Sequence, residues 1–480
     1  MGQAGESRRV EKEVKVGESK AQTTTRGRQE MTIGCIAGGG LVACRALVTA
    51  LLIAAVQSGA QAAATLTNLH SFPSYSGDGQ NPLSVAVGSN GSIYGVTQAG
   101  GTGVCYSVTF GGSGCGTIFE LTPPAVEGGV WNETVLYSFT DENGDGAFPN
   151  GGVVVGAHGE IYGTTQLGGS AGYGAVFELL PPAAAGSPWT EQAIYSFGAV
   201  QGYGQVPQGV IAGPNGVLYG TTAEGGAGFG SIYELTPPAT PGGVWSEADI
   251  YSFAGGISEY PNGDLTLGPS GAVYGTTESG DIVSGYGTVF ELKPPAAAGD
   301  AWTFSNLHTF RGGKGDGSYP QVGVVIGKGG LVYGATELGG SSGNGTVFEL
   351  QPPGAPGAHW TETLLYSFLG ASNGADPGAL ILAKNGTLLG VTEGGGDLNC
   401  DPHQAPGGCG IVFELTSGAG AWTQSVLHTF TGPDGAQPNG LLARGPDGAF
   451  FGTTYLGGTN AACEPVSASY PCGTVFLLRP

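Results

Sequence analysis

Seven times the chain writes an apolar pair followed by Gly, any residue and Thr, and this recurrence constrains the fold more than any bulk property. The copies centre on Gly95, Gly163, Gly220, Gly275, Gly334, Gly390 and Gly452, at intervals of 68, 57, 55, 59, 56 and 62 residues. Two more anchors keep step with them. A Gly-x-Val/Ile-Phe/Tyr segment places its aromatic ring at Phe119, Phe177, Tyr233, Phe290, Phe348, Phe413 and Phe476. A Leu/Ile-Tyr/His-Ser/Thr-Phe segment ends at Phe72, Phe139, Phe197, Phe253, Phe310, Phe368 and Phe430. Such a period marks an array of supersecondary units, so the 480 residues need not be divided into ordinary domains.

Each unit resolves into four short strands, A to D. Strand A is an aliphatic run such as Gly152–Val155 or Asp264–Leu267, turning through Asn90-Gly91, Asn215-Gly216, Asn385-Gly386 or Asp447-Gly448 into strand B. These dipeptides accept positive φ at both central positions and signal tight hairpins. Strand C carries Phe-Glu-Leu and is mostly stopped by Pro-Pro, which cannot donate to a ladder. Strand D runs from a Trp to the Phe of the third anchor. Four strands per unit and seven units predict an all-β, seven-bladed β-propeller of four-stranded antiparallel blades. The chain enters on a strand D (Thr65–Phe72) and ends on a strand C (Gly473–Leu478), so the N-terminal strand is expected to join the last blade and close the ring.

The regular positions read as packing. All six Trp lie eight residues before the strand-D Phe; His70, His308 and His428 occupy the place of Tyr137, Tyr195, Tyr251 and Tyr366; the Glu of Phe-Glu-Leu recurs six times, from Glu120 to Glu414. Residues repeated in every unit serve the ladder or the blade interface before they serve catalysis.

Gly (95) and Pro (30) abound, but 40% of the chain is apolar and periodic, which fits a turn-rich packed protein. Residues 1–64 hold eight of the fifteen cations, leaving seven against thirty-two acids in 65–480, a net −25. Such a body repels phosphate, which argues against nucleic acid and anionic lipid as partners. Residues 1–64 read as an N-terminal extension and export signal: Ala46–Val56 is an eleven-residue apolar run after Arg45, with Ala60-Gln61-Ala62 as a cleavage site and Met31 as an alternative start. The propeller is then residues 65–480, a monomer without a transmembrane anchor after cleavage, secreted, periplasmic or at the cell surface.

The Leu-Tyr-Gly-Thr-Thr, Gly-Thr-Val-Phe-Glu-Leu and Leu-Tyr-Ser-Phe grammar over 65–480 resembles the GloVer tandem-repeat family of exported bacterial proteins. The resemblance implies an exported repeat protein with no established activity, often followed by a C-terminal sorting or anchoring segment. This sequence ends at Arg479-Pro480, directly after its last strand, which puts anchoring by that route in doubt.

Six cysteines form three close pairs within B–C loops, Cys105 with Cys115, Cys400 with Cys409 and Cys463 with Cys472, and an even count beside an export signal reads as disulfides. Strand parity places the B–C and D-to-A loops on one face, which collects every long insertion. That face repeats Asp-Gly-x-x-Pro-Asn/Gln, with Asp78, Asp145, Asp316 and Asp434 at its head. The Asp reads first as a cap on its own turn, with ligand contact as the competing reading. Tyr75, Phe148, Tyr203, Tyr260 and Tyr319 add aromatic rings there, a composition that suits a glycan or a protein ligand or, equally, covers blade edges. Asp141, Asn143 and Asp145 form an Asp-x-Asn-x-Asp-Gly turn like that of calcium loops, although Gly152 stands where such a loop places its Glu. No other cofactor is expected. Two functions stay open: a non-catalytic binding or interaction module, favoured by regularity, and a glycan hydrolase or lyase. An enzyme would have to break the repeat near the channel.

Overall fold

In the computed structural model, the described residues are 64–480 apart from 74–76, 106–113, 127, 185, 199–203, 241, 256–257, 281–284, 298, 356, 401–406, 419 and 460–471. They form seven antiparallel four-stranded blades, and in blades 1 to 6 the strands follow one another in sequence order. Blade 1 consists of Gly79–Val87, Ile93–Gly100, Thr117–Thr122 and Asn132–Ser138. Blades 2 to 6 span 146–196, 205–252, 259–309, 317–367 and 375–429. Blade 7 combines Ala443–Arg444, Phe450–Thr454 and Thr474–Arg479 with Thr65–Ser71 from the other end of the chain. That last pairing runs from Thr65↔Arg479 to Ser71↔Thr474, so the ring closes as the sequence predicts.

The three anchors explain how blade holds blade. Each strand-D Phe packs on the strand-C aromatic of the next blade: Phe72 on Phe119 at 5.1 Å, Phe139 on Phe177 at 5.3 Å, and so around to Phe430 on Phe476 at 5.4 Å. Both rings are almost wholly buried in every pair. The strand-B Gly lies beneath the strand-C ring of its own blade; a Cβ on Gly95 would stand 2.4 Å from Phe119 Cζ, and one on Gly334 2.4 Å from Phe348 Cζ. Only a residue without a side chain fits there. The Pro of the D–A loop is likewise seated on the strand-C Gly of the preceding blade, with Pro149 against Gly116 and Pro377 against Gly345.

Trp and Glu also take the structural roles expected of them. Trp131, Trp189, Trp245, Trp302 and Trp422 lie edge-on to the strand-B ring of the preceding blade, Phe451, Tyr94, Tyr162, Tyr219 and Tyr333. The strand-B Tyr donates its hydroxyl to the strand-C Glu opposite, as in Tyr162 to Glu178 (2.8 Å) and Tyr274 to Glu291 (2.6 Å). Blade 7 replaces the pair as a unit: Phe451 faces Leu477. A bulge in strand D recurs at every C–D ladder, one residue before the Tyr or His, as between Ile118 and Phe119 of the facing strand. It turns that ring toward the seam with the next blade.

Candidate functional site

The residue before the loop Pro organises the mouth of the channel. Asn81, Phe148, Val206, Tyr260, Tyr319, Asp376 and Gln437 occupy it, and all seven have φ between 54° and 57°. A left-handed non-Gly residue is strained, and one that precedes proline doubly so. The strain is held by a ring of interblade hydrogen bonds: its N–H donates to the carbonyl before the strand-C Gly of the preceding blade, from Asn81 to Cys472 (2.8 Å) and from Tyr319 to Tyr286 (2.9 Å), for example. The backbone is uniform while the side chains differ in nearly every blade. Of the seven, Asn81 and Phe148 are buried and Tyr260 is exposed, so only part of this ring is open to a ligand.

Aromatic rings gather on one side of this face. Tyr260 stands edge-on to Phe229 at 5.8 Å, and Tyr319 to Tyr286 at 6.1 Å. Tyr173, Tyr260 and Tyr286 are exposed. Phe148 differs from its expected place, since it is only 4% exposed and packs into the core between blades 1 and 2 beside Cys115. Tyr75 and Tyr203 lie outside the described residues. Cys105 and Cys115 are bonded, as are Cys400 and Cys409. Cys472 is also disulfide-bonded, and its expected partner Cys463 lies outside the described residues.

The Asp residues of the repeated turn cap it. Asp78, Asp145 and Asp316 each accept the N–H of the following Gly at 2.6–2.7 Å, and Asp434 accepts the N–H and hydroxyl of Thr431 at 2.8 and 2.9 Å. Asp145 and Asp434 also bond to strand D, through Tyr137 Oη at 3.1 Å and His428 Nε2 at 2.7 Å. Within the Asp141, Asn143 and Asp145 turn, Asp145 accepts from Gly146 N, Tyr137 Oη, and both N and Oγ1 of Thr140, so protein donors close that turn. Asp141 and Asn143, with φ of 59° and 57°, lie exposed at its tip.

The channel itself carries a feature that no motif of the repeat marks. A cavity of about 150 Å³ lies on the axis, lined from six blades by residues just after the loop Pro. Asn150, Gln208, Asn262, Gln321 and Asn439 form a ring of side-chain amides there. Asp264 also lines it, and the same register in the other blades holds Ser84, Gly152, Gly209, Gly323, Ala379 and Leu441. Burial pushes the Asp264 carboxyl up to about 6, against the pull of a hydrogen bond from the Gly152 backbone. Gly209 leaves it room, for a Cβ there would stand 2.5 Å from Asp264 Oδ1.

A second departure from symmetry lies at the end of strand B. Glu278, Glu337 and Glu393 follow the Thr in blades 4 to 6, where the remaining blades have Tyr455, Gln98, Gln166 and Ala223. Burial, then the neighbouring Glu337 and Asp376, push Glu393 up to about 7. Glu337 is raised by burial, Asp376 and Glu278, and accepts a hydrogen bond from the channel amide of Gln321. On the other side Tyr455 donates to Gln98 at 2.7 Å. At this position, therefore, blades 4 to 6 are acidic and the other four blades carry uncharged residues.

The sequence matches the Gloeobacter/Verrucomicrobia repeat over residues 60–280 and again over 187–402. The chain belongs to that repeat family. No curated protein matches it. Among solved structures, it is similar to an oxidoreductase from Thermus thermophilus described provisionally as a glucose dehydrogenase, at 16% identity, 87% of this chain, 100% of that one and a TM-score of 0.39. A luciferin-regenerating enzyme matches at 12% identity over 87% of this chain and 95% of its own, with a TM-score of 0.40. The extracellular domain of a provisional one-component system from B. thetaiotaomicron matches at 12% identity over 86% of this chain and 42% of its own, with a TM-score of 0.45. Among the described residues, no helix is long and apolar enough to cross a membrane.

The seams of this Gloeobacter/Verrucomicrobia repeat store titratable groups. Between blades 1 and 2, Tyr137 donates to Asp145 at 3.1 Å, and burial followed by the Asp145 charge pushes Glu191 up to about 8. A carboxyl whose folded pKa lies above its ordinary value binds more protons folded than unfolded, so its contribution to stability is lost as pH rises from about 4.5 to about 8. The melting temperature should therefore fall between about pH 5 and pH 8, and Glu191→Gln, which cannot ionise, should flatten that fall. Differential scanning fluorimetry across the range checks it, and parallel curves for the two proteins would refute the assignment.

Proposed function

We infer that the protein is an exported binding module that takes a saccharide at the loop-face mouth of its channel, over blades 3 to 6. The observation that carries this reading is the broken symmetry of the mouth: a ring kept for structure alone would repeat, whereas Asp264 and the acidic arc occur on one side only. Channel amides and carboxylates offer the donors and acceptors that hydroxyl groups need, and the exposed rings of Tyr260 and Tyr286 offer faces for a sugar to stack on. The net −25 of residues 65–480 favours a neutral or amino sugar over an acidic one. Export is supported by the disulfides, which persist in oxidising compartments.

Glycan-array screening followed by calorimetry tests the reading. Saturable binding without turnover is expected. Asp264→Asn should weaken it at least tenfold, about 1.4 kcal/mol, the loss of one charge-assisted hydrogen bond. Binding left unchanged in that variant would remove the channel from the site. A hydrolase or lyase is the second reading, favoured by Asp264 at about 6 and Glu393 at about 7, since carboxyls poised close to neutrality suit general acid and base work. Turnover of a bound glycan, abolished by Asp264→Asn or Glu393→Gln, would decide for it.

A further inference from the structure

Where strand D carries His in place of Tyr, the seam between blades changes character. Each seam brings together the strand-D ring, the residue heading the following turn, which is Asp in four of the seven, and the residue six before the next strand-D Phe. Three seams carry His: His70 with Asp78 and Glu133, His308 with Asp316 and Glu362, and His428 with Asp434 and Leu66. In the first two, one ligand-type atom from each of the three residues lies within 4.8 Å of the others, all half-buried. The His Nε2 to Asp oxygen separations are 3.6 Å and 3.5 Å. In the third seam an apolar side chain stands in the acid's place, and His428 closes on Asp434 to 2.7 Å.

The third seam shows that this His–Asp pair can form a tight hydrogen bond; it opens where a second carboxylate joins it. Ligands held tetrahedrally at about 2.0–2.2 Å from a zinc-sized ion stand about 3.4 Å from one another, close to the open separations. Three of the atoms so spread lack protein partners: His70 Nε2, Glu133 Oε1 and Glu362 Oε1 are buried without a hydrogen bond. In the Tyr seam between blades 1 and 2 a phenol donates to the Asp, and the equivalent Glu191 Oε1 is also buried without a hydrogen bond, so the His nitrogen is what sets the first two seams apart. Replacing that phenol by imidazole exchanges a donor for a nitrogen lone pair and completes an N,O,O ligand set.

We propose that His70, Asp78 and Glu133, and likewise His308, Asp316 and Glu362, are two binding sites for a first-row divalent cation such as zinc, each clamping two adjacent blades and leaving one position for water. They lie at the blade 7–1 and blade 4–5 seams, on opposite sides of the ring and apart from the channel.

The repeat supplies its own conservative variants, because His70→Tyr and His308→Tyr install the residue that other blades carry at that position. Chelator-stripped, untagged full-length protein titrated calorimetrically with zinc chloride at about neutral pH should lose one site in each single variant and both in the double variant. His428→Tyr should lose none. Cobalt should give visible ligand-field bands that vanish in the double variant, and Glu133→Gln and Glu362→Gln should weaken their own sites at least tenfold. Equal zinc uptake by the wild type and the double variant, or no uptake by the wild type, would overturn the proposal. Circular dichroism of each variant separates lost binding from lost folding.

Discussion

Deleting Thr65–Ser71 should remove cooperative folding: the melting transition should fall by more than about 10 °C and broaden, and size-exclusion chromatography with light scattering should show larger species than the wild type forms. The deletion strips Thr474–Arg479 of its ladder partner and exposes an unpaired strand that templates association. It also removes the buried Leu69, and the seam beyond it rests on the adjoining Phe72, fully buried against Phe119. Burial of each such side chain is worth about 1.5–3 kcal/mol, and a ring of seven blades without its seventh outer strand loses both seams that strand would share. A circular permutant supplies the control. Because Thr65 pairs with Arg479, a short linker can join Pro480 to residue 64 and start the chain near Asp78, keeping every strand. That permutant should melt within a few degrees of the wild type. A deletion variant as stable as the wild type would show that closure by this strand contributes nothing.

Phe348→Ala should cost about 3–5 kcal/mol, because it empties a fully buried position at the blade 4–5 seam, where the ring meets Phe310 at 5.2 Å. Gly334→Ala should cost about 1–3 kcal/mol by forcing a methyl group into the same ring. The two changes are expected to couple. In the double variant the space left by Phe348 admits the Gly334 methyl, so the combined loss should fall short of the sum by about 1 kcal/mol or more. Urea unfolding of the four proteins measures this. Strict additivity would mean that the strand-B Gly is kept for its backbone conformation and not for the ring it supports.

The number of blades, the closing strand, the disulfide-bearing face and the packing roles of Trp and Glu were legible because each depends on a pattern repeated in every unit. The Tyr94, Tyr162 and Tyr274 bonds to strand-C Glu, and the joint change to Phe451 and Leu477, follow from cross-strand pairing, which strand order already implies. Phe148 does not lie on the open face that its place in the loop predicts, because its left-handed backbone, which strand alternation does not reveal, turns the ring into the seam.

Asp264 is hidden in the sequence for a related reason. Two residues separate the loop Pro from the aliphatic core residue in blades 1, 3 and 6, but three do so in blades 2, 4, 5 and 7, so its column does not align by counting. Only the ladder, which sets Leu265 beside Gly275 as Val85 is set beside Gly95, shows that Asp264 is the one acid at a register held elsewhere by Ser84, Gly152, Gly209, Gly323, Ala379 and Leu441. The sequence by itself determined the repeat and therefore the ring, since local hydrophobic period and turn chemistry act within one unit. The acidic side of the mouth and the His, Asp and Glu seams were decided by the tertiary structure alone, because they join residues from different blades whose proximity exists only once the ring has closed.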